Sequence, residues 1–108
     1  MANAFYKTMI HKPKRKQSKK LKDSARGREC QVRLPGCNYN PETTVLAHLN
    51  GAGVGTKHSD IHGAFACSSC HEILDTNSNR SFDKEFIELE HLRGVIRTQQ
   101  IWINEDLI

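Results

Sequence analysis

The chain has 108 residues, 26% charged and 6% aromatic, with a net charge of +4 and a mean hydropathy of −0.61. This length fits one small domain with a thin core, which a structural metal would reinforce. No stretch nears the roughly 20 apolar residues of a bilayer span, so no membrane partner is expected.

The opening residues Met1–Lys7 lack the apolar centre of a secretory signal, and the expected compartment is the cytoplasm. In that compartment four cysteines indicate metal more often than disulfides.

The charge is unevenly spread. Residues 1–28 hold ten of the 16 Lys/Arg and a single acid, Asp23, which leaves the remainder acidic. Such a stretch suits a polyanion, because each neutralised phosphate releases counterions. A solvated tail without a partner is the alternative. Residues 1–26 are therefore expected to form a disordered, flexible basic arm, with part of it, from Ser18 on, turning helical on DNA. Lys14, Arg15, Lys16, Lys19 and Lys20 are its candidate phosphate contacts.

A single domain is expected over residues 27–108. Glu29–Leu34 alternates polar and apolar as a strand does, and Pro35-Gly36 then turns the chain so that Cys37 returns toward Cys30. Thr43–Leu49, rich in β-branched residues, is the second expected strand. Asn50–Lys57 is a glycine-rich loop. It fails as a phosphate-cradling P-loop because only three residues separate Gly51 from Gly55 and Thr56 splits Gly55 from Lys57.

Ile61–Ala66 is a short extended stretch, followed by a two-turn helix from Ser68 to near Leu74. The last long helix is expected from an N-cap at Ser81 to about Gln100. Phe82, Phe86, Leu89, Leu92 or Arg93, and Ile96 repeat at helical spacing as the face of a core scaffold rather than an active site, and Ile101–Ile103 is left as a strand or packed tail. Gly94 in mid-helix costs about 1 kcal/mol relative to alanine, which suggests close packing there.

The cysteines fall in two pairs, Cys30-x6-Cys37 and Cys67-x2-Cys70. Two intervening residues let both sulfurs of the second pair face one tetrahedral ion. Four unlinked core thiols or a redox dithiol are the alternatives. Two pairs with none left over favour one closed structural Zn²⁺ site, which has no open position for chemistry.

Cys70 is followed directly by His71, whose side chain diverges from it by about 100° on a helix. Asp75, four residues on, shares the face of His71, so the two can grip one divalent ion. His48, on the preceding strand, can deprotonate a water if the hairpin brings it opposite His71. A satisfied core histidine and a surface His/Asp pair are the bland alternatives.

Cys30, Cys37, Ala47-His48 and Cys67-Ser68-Ser69-Cys70-His71 resemble the His-Asn-His (HNH) endonucleases. The set Arg26–Arg33, Ala47-His48-Leu49, Gly55-Thr56-Lys57, Asp60 and Ala66–His71 is similar to the YbcO-like nucleases of phages and prophages, over about residues 25–108. The resemblance implies an α+β fold with a zinc-stabilised ββα-metal core and an additional C-terminal helix. It implies His48 as general base and His71 as metal ligand, with Asp75 as a second helix ligand. Two positions depart from the pattern: Ala47 stands where many members carry an Asp or His ligand, and the middle Asn is absent. Asp60 or His62 would take the Asn's place in orienting the base or the metal; Asp60 is favoured because the closer resemblance includes it, and with His71 and Asp75 it is a candidate ligand of the catalytic ion. Lys57 and His58 are candidate phosphate contacts.

The expected activity is hydrolysis of DNA phosphodiesters with Mg²⁺ or Mn²⁺, in a phage or prophage setting inside a bacterial cell. A recombination or replication protein is a conceivable partner, and the oligomeric state is left open. The rivals are a non-catalytic zinc module that binds nucleic acid and a zinc-scaffolded adaptor.

Overall fold

The computed structural model describes residues 15–49, 58–76 and 82–108. The first element, helix α1 (Lys19–Ser24), lies inside the expected arm. The Ser18 hydroxyl caps it by accepting the Leu21 N–H at 3.3 Å. Leu21 and Ala25 are buried with Leu46, Phe65 and Trp102, and the Trp102 indole N–H donates to Ser24 Oγ at 2.8 Å. Burying a leucine side chain contributes about 2 kcal/mol. The flexible-arm reading therefore does not hold for residues 18–26, where the apolar spacing Leu21–Ala25 outweighs the repulsion among exposed lysines. Residues 1–14, with Lys14, lie outside the described part.

No strand forms over Glu29–Leu34. Gln31 and Val32, neighbours in sequence, are both buried, which a half-exposed strand would not allow. The segment instead turns around the Cys30 sulfur, which accepts the Arg33 N–H at 3.4 Å, and Arg33 takes a φ of 56°. The Pro35-Gly36 turn forms as expected, closed by Cys37 N–H donating to the Leu34 carbonyl at 2.9 Å, with Gly36 at a φ of 96°.

The sheet is one antiparallel pair, β1 (Val45–His48) with β2 (Gly63–Ala66), in the register Val45↔Ala66 to His48↔Gly63. Gly63 is required there, since a Cβ would lie 2.7 Å from the Leu46 side chain. A 3-10 turn, Asp60–His62, leads into β2, and helix α2 (Ser68–Thr76) leaves it. The order is thus β-β-α.

Helix α3 (Lys84–Asn104) backs β2. Its N-cap is Asp83, while Ser81 and the loop Asn50–Lys57 lie outside the described residues. The expected end near Gln100 is four residues short, because Trp102 is wholly buried against Phe65 and continues the helix. The inward face is also not the expected one. Ile87, His91, Gly94, Val95, Thr98 and Trp102 pack inward, while Phe86, Leu89, Leu92 and Ile96 are exposed. The close packing expected at Gly94 is present: a Cβ there would meet Val32 Cγ2 at 3.1 Å and the Gln31 carbonyl at 3.2 Å.

Candidate functional site

The four cysteines converge from three places. Cys30 and Cys37 come from the irregular loop, Cys67 directly follows β2, and Cys70 sits in the first turn of α2. All four are buried thiols, and their sulfurs lie within 4.8 Å of one another, with Cys37 and Cys67 Sγ 3.6 Å apart. A tetrahedral ion with Zn–S of about 2.3 Å would set sulfurs about 3.8 Å apart, so the cluster is sized to hold a divalent metal such as Zn²⁺.

The protonation pattern fits the same purpose. The contact with Cys70, aided by backbone amides, outweighs burial and brings the Cys30 thiol down to about 4. Burial lifts Cys37 to about 11, and the Cys30 contact followed by burial raises Cys70. The Cys30 thiol is thus pulled down while those of Cys37 and Cys70 are pushed up; a bound cation would displace thiol protons.

His48 ends β1, one residue after the buried Ala47. Its Nε2 lies 2.5 Å from Asp60 Oδ1, and Asp60 is fully buried. Asp60 Oδ2 accepts the Ser18 N–H at 2.5 Å and stands 4.0 Å from Lys22 Nζ. Burial alone would push the Asp60 carboxyl up, but the Ser18 amide, His48 and Lys22 together hold it below the usual carboxylate range. An ionised Asp60 accepts from His48 Nε2–H, and in the neutral tautomer with that proton Nδ1 is the nitrogen left to accept. Among the described residues no protein group hydrogen-bonds that Nδ1, and it is not sealed in the core.

Both oxygens of Asp60 are thereby engaged. His71 Nε2 and Asp75 Oδ2 are 3.5 Å apart on the half-exposed face of α2. That separation suits two adjacent positions on one small ion. Among the described residues, the cysteines are the only group of three or more metal-binding side chains close enough to share an ion.

Beside this pair runs a cleft of about 500 Å³ between α2 and α3, lined in part by Leu49, His58, Asp75, Glu88 and His91. His91 is buried, and burial holds it neutral, below its ordinary value. Its Nε2–H donates to the Ala47 carbonyl at 2.9 Å, and the ring feels the charges of Asp75, His71 and His48.

The expected phosphate contacts divide. Arg15, Lys16, Lys19 and Lys20 are exposed, and Lys57 lies outside the described residues. The segment carrying them is stitched to the Asp60 turn. Arg15 Nε–H donates to the His58 carbonyl at 3.1 Å, the Lys16 N–H to Ser59 Oγ at 2.7 Å, and the Asp60 N–H to the Lys16 carbonyl at 2.9 Å. His62 is exposed, and its Nδ1 lies 3.4 Å from that of His58. Ser18, Lys22 and His91 were not singled out from sequence. Only His91 left a signal there, as a histidine on the helix face opposite the apolar stripe.

The chain matches the family described as "Putative nuclease YbcO" over residues 19–107, and it belongs to that family. It is 47% identical over 92 residues to "Putative nuclease YbcO" of Escherichia coli (strain K12), covering 82% of this chain and 95% of that one. The same figures hold for "Putative nuclease ybcO" of Enterobacteria phage 82. A solved "putative bacteriophage protein" of Escherichia coli K-12 superimposes with a TM-score of 0.67 at 44% identity, covering 79% of this chain and 98% of the other.

Proposed function

We propose that this protein is a metal-dependent endonuclease that hydrolyses DNA phosphodiester bonds in the cytoplasm of a phage- or prophage-bearing bacterium. The observation that carries the reading is the buried Asp60 carboxylate holding His48 Nε2, with Nδ1 left free, at the edge of a β-β-α unit whose helix presents His71 and Asp75. That order and those roles are consistent with an HNH, ββα-metal architecture. Relatives named as putative nucleases support the same class.

In this reading His48 Nδ1 takes the proton of the attacking water. Asp60 fixes the ring and stabilises the imidazolium that forms, filling the place of the absent Asn. Asp60 itself is held by the Ser18 amide and Lys22. His71 and Asp75 would hold Mg²⁺ or Mn²⁺, which when bound supplies positive charge to the phosphate. With only two protein ligands, the remaining positions suit water and phosphate oxygens, as Mg²⁺ favours. Ala47 offers no ligand atom. The four cysteines would hold a structural Zn²⁺ and take no part in the chemistry. Arg15, Lys16, Lys19 and Lys20, with Lys14 and Lys57, would bind backbone phosphates. The working domain then begins near residue 15.

Plasmid nicking by the zinc-loaded protein with Mg²⁺ or Mn²⁺ is the test. The wild type should nick and His48→Ala should not. Cleavage by His48→Ala at the full rate would remove His48 as base, and no cleavage with any metal would leave a nucleic-acid-binding module.

A further inference from the structure

Helix α3 is apolar on two opposite faces, and among the described residues only one of them packs inward. Ile87, His91, Gly94, Val95, Thr98 and Trp102 face the core. Directly opposite, Phe86, Leu89, Leu92, Ile96 and Ile103 are 38%, 46%, 46%, 61% and 52% exposed. At 100° per residue Leu89, Ile96 and Ile103 lie within about 40° of one another, and Phe86 and Leu92 flank them. The other exposed large apolar residues, Tyr39, Val45, Ile61 and Ile108, lie on other segments and need no special explanation. The α3 stripe spans 18 residues from Phe86 to Ile103, or about 26 Å, and has the heptad spacing of a helix–helix seam.

The charges along the helix say what fits it. Residues 84–90 contain Glu85, Glu88 and Glu90 against Lys84, whereas residues 91–104 contain Arg93 and Arg97 and no acid. A second α3 laid parallel would set glutamates on glutamates and arginines on arginines. Laid antiparallel, the acidic half of each helix faces the half that carries Arg93 and Arg97, which keep their charge while also contacting Glu90 and the Gln31 carbonyl of their own chain, and Leu89 of one copy meets Ile96 of the other on both sides of a two-fold axis near Leu92 and Arg93. Such a seam is self-complementary.

We propose that the protein self-associates as a two-fold dimer through this outer face of α3, with the two helices antiparallel. Leu92 also lines the cleft that holds Asp75 and His91, so the second copy stands beside each candidate site. The proposal does not depend on nuclease activity.

Analytical ultracentrifugation of the full, zinc-loaded chain over a wide concentration range tests it. The mass should move from 12.3 kDa toward twice that value. Leu89→Glu and Ile96→Glu should each weaken the dimer at least about a hundredfold while helicity and zinc content stay unchanged. Because an exposed substitution can still perturb a small domain, a second measurement fixes the geometry. Leu89→Cys and Ile96→Cys proteins, mixed under mild oxidation, should crosslink to each other and neither to itself. A wild type that stays monomeric at every concentration would overturn the proposal, as would self-crosslinking of the single variants.

Discussion

Cys70 and His71 are neighbours in the chain, yet they belong to regions built in different ways. The cysteine region closes on itself: four buried sulfurs within 4.8 Å, supplied by two short motifs, are ready for an ion. The histidine region is an open face. His48, Asp60, His71 and Asp75 come from β1, the turn before β2, and α2, and their supports come from groups far away in sequence. Asp60 is held by the amide of Ser18 on an edge that looked like a loose tail, and the carbonyl of Ala47 is held by His91 of α3. A site meant to hold the fold gains from closure. A site meant to admit a phosphate must stay open, and its precision then comes from buried supports around it.

The contrast can be broken from the cysteine side with the largest effect. Structural zinc contributes on the order of 10 kcal/mol in small domains. Chelation, or Cys67→Ser, should therefore unfold the protein and abolish any cleavage together, seen as loss of helical circular dichroism. Retained cooperative melting after complete zinc removal would show that the sulfurs are not structural.

From the histidine side the opposite separation is expected. His48→Ala should keep its melting temperature and zinc content while the cleavage rate falls by about 10²–10⁴-fold. Leu21→Ala tests the supports between the two regions. It empties a buried site on α1 and should cost about 2–3 kcal/mol in urea unfolding without loss of zinc. A change near zero would return residues 18–26 to a loose arm.

The smallest effect is in pH. Both His91 and Asp60 have depressed values in the folded state, so the unfolded chain binds their protons more readily. Stability conferred by His91 is complete above about pH 6.5 and is lost as the pH falls through that value toward its folded one. Asp60 adds a second loss below about pH 4. Urea midpoints should decline through the first window in the wild type and less steeply in His91→Gln, which keeps a donor for Ala47. Parallel slopes would contradict a buried neutral His91.

What the sequence disclosed follows the same division. Cys67-x2-Cys70 and the Pro35-Gly36 turn are local devices, and spacing and backbone preference made them legible. The strand at residues 45–48 and the helix after the knuckle were legible for the same reason. Glu29–Leu34 misled because alternation is also what a chain shows while wrapping a sulfur. The α3 stripe misled more instructively: the apolar period was real, but it belonged to the outer face, and small and polar residues made the inner one. The basic segment hid a short helix behind its charge, since one leucine and one alanine suffice to dock two turns. No local pattern could reveal that the Ser18 amide would reach Asp60 across 42 positions.

The separation of the two regions is tested most directly by diffraction from crystals grown with Mn²⁺, using anomalous scattering to distinguish the ions. Two peaks are expected: zinc among Cys30, Cys37, Cys67 and Cys70, and manganese between His71 Nε2 and the Asp75 carboxylate, on the side facing His48. Manganese bound at Asp60, or no ion outside the four sulfurs even with a phosphodiester present, would contradict it.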